Sequence, residues 1–176
     1  LQSLSQRKHL APHTLNVLAL WAVCTRLRKS RGKLAKNLTV LQKAFLYEGD
    51  APESWKDEDR QQLLADLPEI CQEYDECREK LEIPSGLRDA GYEGRRGASP
   101  REIQSLLSFA INNKTFSCLS PLAIFRAMED LGKDKSLYEF LRLSETDYYF
   151  ESEKTLKEVK KLYGKWVQRD LRLATG

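Results

Sequence analysis

The 176-residue sequence is poor in the residues that usually carry site chemistry: two histidines, one methionine and four cysteines. No two cysteines form a C-x-x-C, and neither histidine stands in zinc-finger spacing to a cysteine. Cys24, Cys71, Cys77 and Cys118 therefore read as reduced thiols of a cytoplasmic protein, with Cys24 inside an apolar helix. His9 and His13 lie four apart, but Pro12 between them suits a helix start and no carboxylate is near them in sequence. No metal site is expected. No apolar run approaches the ~20 residues of a membrane span. The chain starts at Leu1 and its single methionine is Met128, so a longer parent chain is expected.

Charge of one sign is missing from long stretches. Residues 1–47 hold nine Lys or Arg and no acid, whereas residues 48–82 hold thirteen acids against four bases. Such opposed blocks read as solvated faces that meet each other or a neighbouring domain. The basic block carries no interleaved exposed aromatics and no nucleic-acid-binding motif, which argues against nucleic acid.

What is present is helical. At 41% hydrophobic and 31% charged residues, the composition is that of a soluble globular chain. Pro12 to about Lys29 reads as a helix with a stripe of Leu15, Leu18, Ala19, Ala22, Val23 and Leu27. Leu20, Trp21 and Cys24 widen that stripe, and Arg26, Arg28 and Lys29 fall in its last turn. Further helices are expected over Asn37–Tyr47, Trp55–Leu67, Ile70–Leu81, Pro121–Leu131 and Ser136–Leu143. A last one spans Ser152–Leu173, with Leu156, Val159, Leu162, Tyr163, Trp166, Val167, Asp170 and Leu171 inward. Tyr148, Tyr149 and Phe150 read as an aromatic connector. No strand and no repeat is visible, so the fold class is all-α, a multi-helix bundle.

The most informative stretch is Gly94-Arg95-Arg96-Gly97-Ala98-Ser99-Pro100-Arg101-Glu102. Ser99 suits an N-cap, Pro100 the first helical position, and Glu102 completes an S-x-x-E capping box. Ile103, Leu106, Leu107, Ala110 and Ile111 then share one helical face. Arg101 breaks the rule, because a cation in the first turn opposes the helix dipole. It is either a solvated surface arginine or a residue placed for an anion.

Gly97-Ala98-Ser99-Pro100-Arg101-Glu102 resembles the sensor 2 motif of AAA+ ATPases, found at a helix start in their α-helical lid. More of the chain is similar to the C-terminal part of bacterial PrkA-type serine protein kinases. The similarity runs through His9-Leu10-Ala11-Pro12-His13, Leu18–Leu27, Leu38–Lys43, Leu46-Tyr47-Glu48-Gly49, Tyr92-Glu93-Gly94, Ser136–Leu141 and Asp170-Leu171-Arg172. The resemblance implies an AAA+ core domain before this chain that binds ATP and Mg2+, with Arg101 reaching the γ-phosphate and Arg96 and Arg95 as further candidates. It implies a lid-like region over residues 1–115 and the start of the family's C-terminal region over residues 116–176. It also admits a homo-oligomer.

No G-x-x-x-x-G-K-[ST], G-x-G-x-x-G, H-R-D or D-F-G occurs, so no catalytic residue is expected within these residues. The expectation is thus a nucleotide-sensing and regulatory segment of an ATP-dependent serine protein kinase. The alternatives are the lid of an ATPase whose output is conformational work, and a non-catalytic helical interaction module.

Overall fold

The computed structural model describes residues 9–73, 93–133, 138–142, 149 and 151–176. Among them are seven α-helices and no strand, only an isolated parallel bridge between Leu10 and Leu119. The all-α expectation is met.

The helices fall into two compact units. The first comprises Leu1–Ala22, Ala98–Arg142 and Glu151–Gly176; the second comprises Val23–Gly97 and Leu143–Phe150.

In the first unit, α1 (Thr14–Cys24, its last two residues counting with the second unit) is followed by α5 (Pro100–Asn112), α6 (Pro121–Gly132) and α7 (Ser152–Thr175). The numbers α2 to α4 belong to the second unit. Helix α5 packs on α6, and α6 on α7. Their start signals are local and obeyed: Ser120 accepts from the Ala123 N–H with Pro121 behind it, as Ser99 and Pro100 do for α5. Leu106, Leu107 and Ala110 of α5, Ile124, Phe125 and Met128 of α6, and Leu156 and Val159 of α7 are buried. Trp21 meets Phe140 edge-on at 5.8 Å between ring centroids, inside the same core. The chain before α1 is stitched on by backbone bonds, Ala11 N–H to Leu119 O and Leu119 N–H to His9 O, both 2.9 Å. Helices α5 and α6, which flank residue 115, thus share one unit.

The second unit holds α2 (Val40–Leu46), α3 (Asp57–Ala65) and α4 (Leu67–Gln72), with a 3-10 turn at Ala35–Asn37. Ala35, Leu38, Leu46, Ala51, Leu63 and Ile70 form its core, and Leu34, Tyr47, Trp55 and Leu67 pack against it. Helix α2 begins on a Thr39–Gln42 capping box, a T-x-x-Q signal readable in the sequence.

Several expectations need correction. Helix α1 starts at Thr14 and stops at Cys24, so Arg26, Arg28 and Lys29 lie beyond it and no base occupies its last turn. Its buried side is Thr14, Val17, Leu18, Trp21 and Cys24, while Leu15 and Val23 are exposed. A helix apolar on nearly every side gives periodicity no face to choose. Leu122 and Leu171 are exposed as well, 58% and 59%. The Ser136–Leu143 helix is replaced over Glu139–Arg142 by a 3-10 turn, and residues 134–137 lie outside the described residues. Most of the Ile70–Leu81 helix, Cys77, Tyr148 and Phe150 also lie outside them.

Candidate functional site

Two constructions are described, each within its own unit: the helix start that carries Arg101 in the first, and an ionic latch around Glu93 in the second. At the helix start, Ser99 Oγ accepts from the Glu102 N–H at 3.3 Å while the Glu102 carboxylate accepts from the Ser99 N–H at 2.5 Å. Both halves of the capping box are made, which fixes the first turn of α5. Arg101 sits in that turn and is exposed to solvent. The turn therefore presents a guanidinium from a rigid base, an arrangement suited to meeting an anion from outside. Arg95 is exposed and Arg96 half-buried, both in the second unit's loop.

The latch lies within the second unit. Glu93 Oε1 accepts from Lys43 Nζ at 2.8 Å and from the Arg28 N–H at 2.6 Å, and Glu93 Oε2 accepts from the Tyr47 hydroxyl. Lys43 also donates to Arg28 O at 2.7 Å and has no exposed surface, though it stands on a short helix. Burial pushes the Lys43 ammonium below its usual range, and the Glu93 carboxylate opposes that shift. Burial, then Glu93, pushes the Tyr47 phenol above its usual range. Lys43 Nζ, the Tyr47 hydroxyl and the Arg28 N–H all donate to the one carboxylate, so these groups hold structure.

Glycines complete the latch. Arg26 donates to Gly94 O at 2.7 Å, and the next glycine closes the loop against the same arginine. Gly97 has φ +131°, and a Cβ there would lie 2.5 Å from Arg26 Cγ and 2.8 Å from Thr25 O. Only glycine fits. A cavity of about 390 Å³ opens beside the cluster, lined by Arg26, Tyr47, Cys71 and Glu93 with Val23 and Leu27 as its apolar wall. The three cysteines among the described residues, Cys24, Cys71 and Cys118, are free thiols.

In the first unit His13, at φ +61°, donates from Nε2 to Asp170 Oδ2 at 2.6 Å and lies 5.4 Å from the Trp166 ring. The hydrogen bond from His13 holds the Asp170 carboxyl below its usual range. The carboxylate missing from the local sequence thus arrives 157 residues later, to tie the His13 turn to α7. No group of three or more His, Cys, Asp or Glu able to hold a metal occurs among the described residues.

Sequence reasoning found the Arg101 turn, whose signals are contiguous. It missed the roles of Lys43, Tyr47 and Glu93, because Lys43 and Glu93 are fifty residues apart.

Comparison with known proteins gives a family match and a curated relative. The model of the PrkA serine protein kinase C-terminal domain matches residues 41–176. A Bacillus subtilis (strain 168) protein named ATP-dependent protease PrkA is 24% identical over 122 residues, 69% of this chain. The aligned region spans 15% of that relative's length. No solved structure matches.

Proposed function

Because the chain belongs to the family of PrkA serine protein kinase C-terminal domains, we propose that it serves as the nucleotide-sensing lid and regulatory helical region of an ATP-dependent enzyme. On this reading ATP and Mg2+ bind mainly to an AAA+ core domain preceding these residues, and that core is the chain's first partner. Arg101 reaches from the first turn of α5 to the γ-phosphate and stabilises charge developing there during phosphoryl transfer. Arg95 and Arg96 assist from the preceding loop. The observation that carries the reading is the fully capped helix start holding an exposed arginine where the dipole disfavours one. A purely structural helix gains nothing from Arg101.

On this reading the protein works in the cytoplasm. No helix among the described residues is long and apolar enough to cross a membrane. A second reading draws on the relative's name, ATP-dependent protease: hydrolysis at the core would drive conformational work, with no phosphate passed to a protein substrate. Both readings need Arg101, and only the first needs a phosphorylated product.

ATP turnover by the longer parent protein, wild type against Arg101→Ala, tests the shared part. A loss of about tenfold or more with an unchanged melting temperature is expected for one transition-state contact. Unchanged turnover overturns it. Radiolabel transfer from ATP to a serine-containing protein then separates kinase from ATPase output.

A further inference from the structure

The outer face of α5 is nearly uncharged. Arg101, Gln104, Ser105, Ser108, Phe109 and Asn112 are exposed and fall within about 140° of one another at 100° per residue. In a chain with 31% charged residues, Arg101 is the one charge among them. Glu102, the other charged residue of α5, is half-buried, and its carboxylate accepts from the Ser99 N–H. Leu106, Leu107 and Ala110 take the buried side. A helix face that meets only water is usually laced with charges of both signs. This one carries hydroxyls, amides and a ring.

Three of these residues form a row. Arg101, Ser105 and Phe109 follow at i, i+4 and i+8, each about one turn beyond the last with about 40° of drift. Eight residues at 1.5 Å place Phe109 about 12 Å along the axis from Arg101. Ser105 Oγ donates to Arg101 O at 3.0 Å, and a hydroxyl oxygen that donates can still accept. Phe109 is 52% exposed and makes no ring contact among the described residues. The row is thus a cation, a hydroxyl and an aromatic ring.

We propose that the nucleotide lies along this row, its base stacked on Phe109, its ribose hydroxyls at Ser105 and its γ-phosphate at Arg101. This placement rests on the nucleotide-sensing reading of Arg101 and extends it from the phosphate to the base. Phosphate, ribose and base of an extended nucleoside triphosphate follow one another in the same order as the cation, the hydroxyl and the ring. Stacking tolerates any base, because every base has a π-face, so Phe109 adds affinity more than base choice. A long polyanion is a poor fit to a face with a single cation. A protein segment is a poor fit as well, because docking faces centre on a cluster of anchors and Phe109 is the one large apolar side chain exposed on α5.

Calorimetric affinities of the longer parent protein for ADP and for a non-hydrolysable ATP analogue test the placement. Phe109→Ala should lose about tenfold for both nucleotides, since both carry the base, with an unchanged melting temperature. Phe109→Trp should keep the wild-type affinities, and the fluorescence of its added indole should fall when ADP binds. Arg101→Ala should lose affinity for the analogue alone. Wild-type affinities in Phe109→Ala overturn the inference, and they leave the sensor reading standing if Arg101→Ala still loses the analogue. A Phe109→Ala loss that Phe109→Trp does not recover also overturns it, because the ring then does not act by stacking. Arg101→Ala without effect on either nucleotide defeats the sensor reading itself, and the layout along α5 with it.

Discussion

Replacing Glu93 tests the latch. In Glu93→Ala three donors lose their acceptor at once: Lys43 Nζ, the Tyr47 hydroxyl and the Arg28 N–H. Breaking a buried ion pair by removing one partner costs about 3–5 kcal/mol. Lys43 has an escape, since it can fold as the neutral amine. From an unfolded value near 10.4, shedding the proton at pH 7 costs about 4.6 kcal/mol, which caps its part of the loss. Glu93→Gln keeps an acceptor for the Arg28 N–H and the Tyr47 hydroxyl and removes only the charge, so its loss should be about 2–4 kcal/mol. The pH dependence separates this account from simple loss of packing. Where Lys43 is neutral in the folded variant and protonated in the unfolded chain, the unfolded state binds more protons and stability rises with pH. The slope is about 1.4 kcal/mol per pH unit, so most of the Glu93→Gln penalty should be recovered between pH 7 and pH 9. Urea unfolding followed by circular dichroism at both pH values measures it. A loss below about 1 kcal/mol at pH 7, or a Glu93→Gln loss that ignores pH, would refute the reasoning.

Other positions yield sharper contrasts. Gly97→Ala should destabilise by more than the ~1 kcal/mol of an ordinary glycine replacement, because a Cβ there meets Thr25 O at 2.8 Å. Gly94→Ala, at φ +89° with nothing within 4 Å, should cost clearly less in the same denaturant titration. Ser99→Ala should cost about 1 kcal/mol through loss of the cap, and Arg101→Glu should stabilise the helix start by a few tenths. Thermal melts of the two variants read both signs. Asp170 should titrate below the usual carboxylate value of about 3.9 when followed by carboxyl NMR. Its stabilising contribution is present above that value and fades as pH falls through the folded one. His13→Asn, chosen because Asn tolerates the left-handed backbone, should return Asp170 to the usual range.

The legible parts of the fold are those written in adjacent residues. Ser99-Pro100-Arg101-Glu102 and Ser120-Pro121 each state a helix start within four positions, and the structure forms both as caps. The stripe of α5 was legible too, because polar residues on its other face leave one choice for Leu106, Leu107 and Ala110. Helix α1 offers no such contrast, and its buried side was misread by about one residue. No acid lies within residues 1–47 to mark Lys43 as a buried lysine; its partner is a carboxylate fifty residues away. His13 and Asp170 are further apart still, so neither could announce the other. The proposed role of Arg101 rests, in the sequence, on a violation of the dipole rule and on the words around it.

The proposed γ-phosphate contact is tested most directly by nucleotide discrimination. In the longer parent protein, the affinities for ADP and for a non-hydrolysable ATP analogue would be measured in wild type and in Arg101→Ala. If Arg101 meets the γ-phosphate, the variant should lose about tenfold or more for the ATP analogue, the size of one charge-assisted hydrogen bond, and keep its ADP affinity. Equal affinities for the analogue in both proteins, or an equal loss for both nucleotides, would contradict the sensor assignment.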